Sequence, residues 1–188
     1  MSSKKRSILT TKNMILAALF VALIAVGAFI RIPVPVCPFT LQLLFTTLAG
    51  LLLGSRLGFV SVFTYIIIGL IGIPIFTEGG GPSYVFQPTF GYLIGFAVGA
   101  YVVGFLSERR QNLSFIFLLF ASFINLLIVY LFGMVYVYII SNFYLNTPLG
   151  VWPVFLYCFL LAVPGDIFLC IIASFLGKKL IPILRYYK

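Results

Sequence analysis

The chain has no histidine, and its 188 residues include only three acidic side chains, Glu78, Glu108 and Asp166. Without histidine, His-ligated metals and histidine-based catalysis are excluded. A lone aspartate excludes the two-carboxylate chemistry of aspartyl proteases. A coupled pump normally needs several ionisable groups within its spans, and one is too few. No Gly-x-x-x-x-Gly-Lys-Ser/Thr run is present, so the chain carries no standard ATP-binding loop. Its three cysteines, Cys37, Cys158 and Cys170, show no ligand-like spacing and read as small apolar packing residues. No catalytic set, metal site or cofactor site emerges, and the chain is not expected to be an enzyme.

What is abundant is apolar. Hydrophobic residues make up 63% of the chain and charged residues 8%, against about 25% charged in a soluble domain. A water-soluble fold of this size cannot hide that much apolar surface. In lipid, helices satisfy their own backbone groups, and the long continuous runs here lack the alternation of a β-barrel. The expected class is all-α, a polytopic membrane protein. The net charge of +9 does not point to nucleic acid, because the basic residues sit in short clusters between apolar runs. The first run, Met14 to Ile30, is too long for a signal-peptide core and reads as an uncleaved membrane helix.

Cutting at charges and at Pro/Gly punctuation predicts six spans within one integral membrane domain, 1–188: roughly 13–30, 40–54, 57–75, 90–107, 113–140 and 152–176. The second is short. Placing both termini in the cytoplasm puts Lys4, Lys5, Arg6, Lys12, Arg56, Arg109, Arg110, Lys178, Lys179, Arg185 and Lys188 inside, eleven of the twelve basic residues. Arg31, Glu78 and Asp166 are then the charges left off the inner rim. Two outer segments are irregular. The first, 31–40, holds Pro33, Pro35 and Pro38 yet is apolar, so it is expected to pack into the protein. The second, 77–89, joins a flexible glycine run to aromatics and is expected to cap a cavity.

Asp166 is the leading functional candidate. It lies within the sixth apolar segment, about 18 Å from the end marked by Lys178 at 1.5 Å per residue. A carboxylate at that depth costs at least about 2.5–3.5 kcal/mol, so it faces either a cavity or a partner helix. Pro164 and Gly165 loosen the helix just before it. Gln42 follows the proline-rich segment, and Tyr92 begins the fourth span beneath the glycine loop. Asn125 reads as helix–helix glue. Tyrosines near segment ends and Trp152 fit interfacial belts. On the first span Ala18 and Ala22 form an Ala-x-x-x-Ala pair, with Ala25 close to the same face, a spacing that allows close helix approach.

Several motifs together carry a family resemblance. Ile32-Pro-Val-Pro, Thr40-Leu-Gln42 and Leu48-Ala-Gly-Leu-Leu-Leu-Gly54 resemble the start of the BioY family, the biotin-specific substrate-binding (S) subunits of energy-coupling-factor (ECF) transporters. The likeness continues through Gly69-Leu-Ile-Gly72-Ile-Pro74-Ile-Phe76, Pro88-Thr89-Phe90-Gly91-Tyr92-Leu93 and Pro164-Gly165-Asp166. It implies a bacterial plasma-membrane protein that captures biotin from outside. It also implies a membrane-embedded coupling (T) subunit and two ATP-binding-cassette ATPases as partners, with Ala18 and Ala22 as the docking pair. The implied ligand residues are Asp166, Gln42, Thr40, Tyr92, Thr89, Gln87 and Arg31. Biotin is the transported ligand; no cofactor is implied. Two positions depart from the family pattern. Phe90 stands where the first glycine of Gly-Gly-Tyr is usual, and Leu169 stands where a lysine is frequent. Arg31, the lone outer cation, is therefore the candidate partner of the ligand carboxylate. Other readings are an S subunit for a different vitamin, or a non-transport membrane assembly in which Asp166 only pairs helices.

Overall fold

A computed structural model describes residues 10–32, 37–110 and 113–186, with side chains to 184. The order is α1 (Thr11–Phe29), β1 (Arg31–Ile32), β2 (Phe39–Thr40), α2 (Gln42–Leu53), α3 (Ser55–Leu70), a 3-10 turn (Pro82–Phe86), α4 (Phe90–Glu108), α5 (Phe115–Phe143), α6 (Val151–Phe155), a π-helical stretch (Leu156–Leu160) and α7 (Val163–Tyr186). All six expected segments are helical. Helical stretches of spanning length and hydropathy are Thr11–Phe29, Phe90–Glu108, Phe115–Phe143 and Val151–Leu184, while α2 and α3, of 12 and 16 residues, are shorter apolar helices.

Burial accounts for the shortness of α2. Ten of its twelve residues are buried, between α1, α3, α4 and α7. A helix enclosed by other helices need not match the bilayer thickness. Its polar side chains bond inward. Thr46 and Thr47 donate to the carbonyls of Gln42 and Leu43, and Asn125 Nδ2 on α5 donates to Thr47 Oγ1 at 2.7 Å. Asn125 is thus interhelical glue, as its position in α5 suggests.

The α2–α3 corner turns on Gly54 at φ +91°, where a Cβ would collide with the Glu108 carboxylate. That carboxylate accepts from Ser55 N at 3.1 Å and Ser55 Oγ at 2.7 Å, capping α3 from the end of α4. Along α4, Gly91, Gly95 and Gly99 recur every four residues on the face against α5. A Cβ there would run into Tyr136, Val129 and Asn125 respectively. This stripe of small residues lets the two backbones approach closely.

Two expectations need correction. The glycine run of the second outer segment is not slack. Gly81 N donates to Gly69 O at 2.7 Å, Phe76 pairs with Gly79, and Phe76, 1% exposed, lies beneath Tyr84 and Tyr65. Nor is the sixth segment one helix ending near 176. It unwinds through the π stretch, turns at Leu161–Ala162, restarts at Val163 and runs on to Tyr186. Pro164 is the second residue of α7, a position whose N–H has no partner within the helix, so it is tolerated there and the break falls before it.

Candidate functional site

The helix break sets the chemistry. Asp166 occupies the first turn of α7, where the helix dipole favours a negative charge, and its backbone N–H donates to Ala162 O at 3.1 Å. The side chain is 8% exposed, and its Oδ2 accepts a hydrogen bond from the Tyr130 hydroxyl of α5. Ala162 N bonds to Phe159 O rather than to Cys158 O, four residues back. The Cys158 carbonyl is thereby left for Tyr92, whose hydroxyl donates to it at 3.1 Å. Tyr92 reaches across because Gly133 of α5 has no Cβ to obstruct its ring.

Facing these groups is the start of α2. Gln42, 3% exposed, donates from Nε2 to the Tyr65 hydroxyl at 2.9 Å, and Tyr65 donates to Ile75 O at 2.8 Å. Gln42 Oε1 accepts weakly from Thr40 Oγ1 at 3.3 Å and Thr77 Oγ1 at 3.4 Å. Thr40 is carried by the β1–β2 pairing, opposite Arg31. The second outer segment adds Tyr84 and Thr89, whose hydroxyls are 3.1 Å apart. Burial pushes the Tyr84 hydroxyl up from its ordinary pKa, so it stays protonated. Apart from Tyr65, these polar side chains line one cavity of about 580 Å³, counting the open solvent at its mouth, with apolar walls from Phe39, Leu43, Leu93, Phe96 and Val129. Apolar walls with a few convergent polar groups are the lining of a small-molecule site. Asp166 is the only charged side chain among the described lining residues.

Of the residues expected at a site, Asp166, Gln42, Thr40, Tyr92 and Thr89 come together here. Gln87 and Arg31 do not. Gln87 is exposed at the end of the 3-10 turn, with its N–H bonded to Tyr84 O. Arg31 is exposed and donates from a guanidinium nitrogen to Thr77 O at 2.6 Å, so it reaches the cavity only through a lining residue. Leu169, where a lysine is frequent, is 4% exposed within the hydrophobic core. Ala18 and Ala22 lie on the exposed face of α1. Tyr130, Thr77 and Tyr84 were not anticipated. The first carried a signal, a tyrosine in the middle of a long apolar helix rather than near its end. All three cysteines are buried among apolar side chains, as packing residues are expected to be. Cys170 is buried and donates to Ser122 O, but Cys37 and Cys158 both line the cavity, with their sulfurs 3.2 Å apart. The hydrogen bond with Cys158, and then burial, push the Cys37 thiol up, so it is protonated at neutral pH.

The profile of the BioY family matches residues 1–186. The chain belongs to the BioY family. A BioY relative from Lysinibacillus sphaericus, named a probable biotin transporter, is 45% identical over 94% of this chain and 90% of its own. The biotin transporter BioY of Thermotoga maritima is 40% identical over 72% of this chain and 77% of its own. Among solved structures, the S-component for biotin from an ECF-type ABC transporter superposes with a TM-score of 0.77 at 26% identity, covering 96% of this chain and 94% of that one. The family is one of transporter subunits, and its apolar helices make this BioY chain a membrane protein.

Proposed function

We propose that the chain is the biotin-capturing S component of an ECF-type vitamin importer, with the cavity beside Asp166 as its binding site. The observation that carries this is the Asp166 carboxylate, anchored by Tyr130 on one oxygen and facing hydroxyls and an amide across an apolar-walled cavity. Biotin's ureido ring offers two N–H donors and one carbonyl acceptor. The carboxylate accepts the donors, in bonds stronger than neutral ones. The weakly held hydroxyls of Thr40 and Thr77 and the second N–H of Gln42 are the donors for the ureido oxygen. Tyr92, whose own proton goes to Cys158 O, offers lone pairs, and Thr89 supports the roof through Tyr84. Phe39, Leu93 and Phe96 hold the thiolane ring. Gln87 and Arg31 are assigned to the rim.

The lipid setting completes the proposal. Residues 1–188 form one integral membrane domain of six segments in the bacterial plasma membrane, with both termini cytoplasmic. The count of basic residues supports that orientation. The partners are a T subunit and two ATPases; the exposed Ala18–Ala22 face supports the docking assignment.

The test is thermal. Biotin at 100 times its Kd should stabilise the detergent-purified protein by about 2.7 kcal/mol, read as a rise in Tm, with other vitamins inert. A Tm unmoved by biotin and by every other vitamin tried would return Asp166 to a helix-pairing role. A rise with another vitamin alone would reassign the ligand.

Arg31 makes a separate prediction. It is the lone cation outside the inner rim, and its clasp on Thr77 leaves further guanidinium N–H groups for a carboxylate. Arg31→Ala should weaken biotin about fivefold, by an exposed charge pair of roughly 1 kcal/mol, and a biotin amide less. Equal losses for acid and amide would limit Arg31 to holding the loop.

A further inference from the structure

Two cysteines in the cavity wall have no part in the ligand chemistry above. Cys37 Sγ and Cys158 Sγ lie 3.2 Å apart, although 121 residues separate them in the chain. A disulfide needs about 2.05 Å between sulfurs, so the pair is roughly 1.2 Å short of bonding. The two sulfurs already meet across the wall. The two residues belong to different parts of the wall. Cys37 leads into β2, whereas Cys158 sits in the π stretch, where the backbone already departs from α-helical geometry.

The segment 37–40 meets the sixth apolar segment at a second place. A Cβ at Gly165 would come within 2.6 Å of the Phe39 ring. Cys37 thus touches the helix before its break and Phe39 touches it after the break, one residue from Asp166. Between these two contacts, 37–40 forms the wall of the cavity along this side. Van der Waals contacts of this kind separate readily when the wall moves. A covalent bond at the first of them does not.

We propose that Cys37 and Cys158 form a reversible dithiol–disulfide latch that, when oxidised, fixes segment 37–40 to the sixth apolar segment and blocks ligand exchange. The oxidant is a small organic disulfide that reaches the pair from the cavity, which both residues line. One protein sulfur, as its thiolate, attacks the oxidant, releasing one small thiol and leaving a mixed disulfide. The second protein sulfur then displaces the other small thiol. Two S–H bonds are lost, one Sγ–Sγ bond forms, and the oxidant is reduced to two thiols. Cys170 stays out of the exchange, since its thiol is committed to Ser122 O in the α5–α7 interface. The effect on ligand exchange rests on the biotin reading above; the cross-link does not.

The experiment uses the full chain in detergent, treated with 2-hydroxyethyl disulfide and then freed of it. Peptide mass mapping should find Cys37 joined to Cys158 with the loss of two hydrogens, and amide hydrogen exchange over residues 37–41 should slow. Association of labelled biotin with the oxidised protein should slow at least about tenfold, since a ligand that must wait for the wall to open binds slowly, and dithiothreitol should restore it. Cys37→Ala and Cys158→Ala, made separately, should each abolish both effects, while Cys170→Ala should retain them. Failure to form the cross-link overturns the proposal. So does a cross-link that leaves both amide exchange and biotin association unchanged. Reduced protein that binds no biotin would instead refute the ligand reading, with mass mapping and amide exchange still deciding the latch.

Discussion

Asp166→Asn should lower biotin affinity by at least about 10²-fold while leaving the protein folded. A hydrogen bond to a charged group contributes about 1.5–3 kcal/mol. Two ureido N–H groups meet this carboxylate in the proposed complex. Losing its charge removes roughly 3 kcal/mol, which is about 10²-fold in Kd. The amide substitution also turns one acceptor into a donor, which opposes a ureido N–H. Asparagine is the informative choice because its carbonyl can still accept from Tyr130, so the buried hydroxyl keeps a partner. Alanine would orphan that hydroxyl at about 1–3 kcal/mol of stability, mixing a folding defect into the binding defect. Tyr130→Phe should cost less, because it frees the carboxylate to move without discharging it. Equilibrium binding of labelled biotin to purified protein measures all three. Wild-type affinity in Asp166→Asn would remove the carboxylate from the site.

The position of Asp166 was legible because a carboxylate in lipid is costly enough to demand a reason. The helices were legible for a similarly blunt reason. Charges, prolines and glycines punctuate runs that are otherwise continuous, and α4 begins where Pro88-Thr89 places it. What escaped reading was pairwise. Tyrosine in a membrane helix defaults to the interface, and only the position of Tyr130 in mid-helix argued against it. The α4 glycines become a packing stripe only when counted in steps of four against α5. Cys37 and Cys158 could not be joined from sequence, since a separation of 121 residues carries no periodicity. The break before Asp166 was placed too late. A proline early in a helix marks where the helix starts, and the irregular backbone lies on the side before it.

Ala18→Leu with Ala22→Leu should abolish assembly with the coupling module and biotin uptake, yet leave biotin binding to the isolated subunit unchanged. The two faces of α1 differ in what they demand. Inward, Phe20, Ile24 and Ala28 are at most 5% exposed, and a Cβ at Gly27 would strike the Phe45 ring and the α2 backbone. Enlarging that face would disturb the fold. Outward, Ala18 and Ala22 are exposed, with Ala25 half-buried beside them, and larger apolar neighbours such as Ile15, Leu19 and Val26 are also exposed. In lipid, an exposed leucine costs nothing in place of an alanine, so the isolated subunit tolerates the change. A partner helix that packs closely against small residues does not, because added side chains hold the backbones apart and forfeit the dispersion contacts that drive association between membrane helices. Removing several such contacts should weaken docking by at least about 2 kcal/mol, or 30-fold. Co-purification with a tagged T subunit measures docking, and labelled uptake in cells carrying the whole transporter measures its consequence. Ala28→Leu serves as the contrast, lowering the subunit's own Tm. Normal assembly of the double leucine variant would move the docking surface off this face of α1, whereas lost uptake with intact binding separates capture of the vitamin from its delivery.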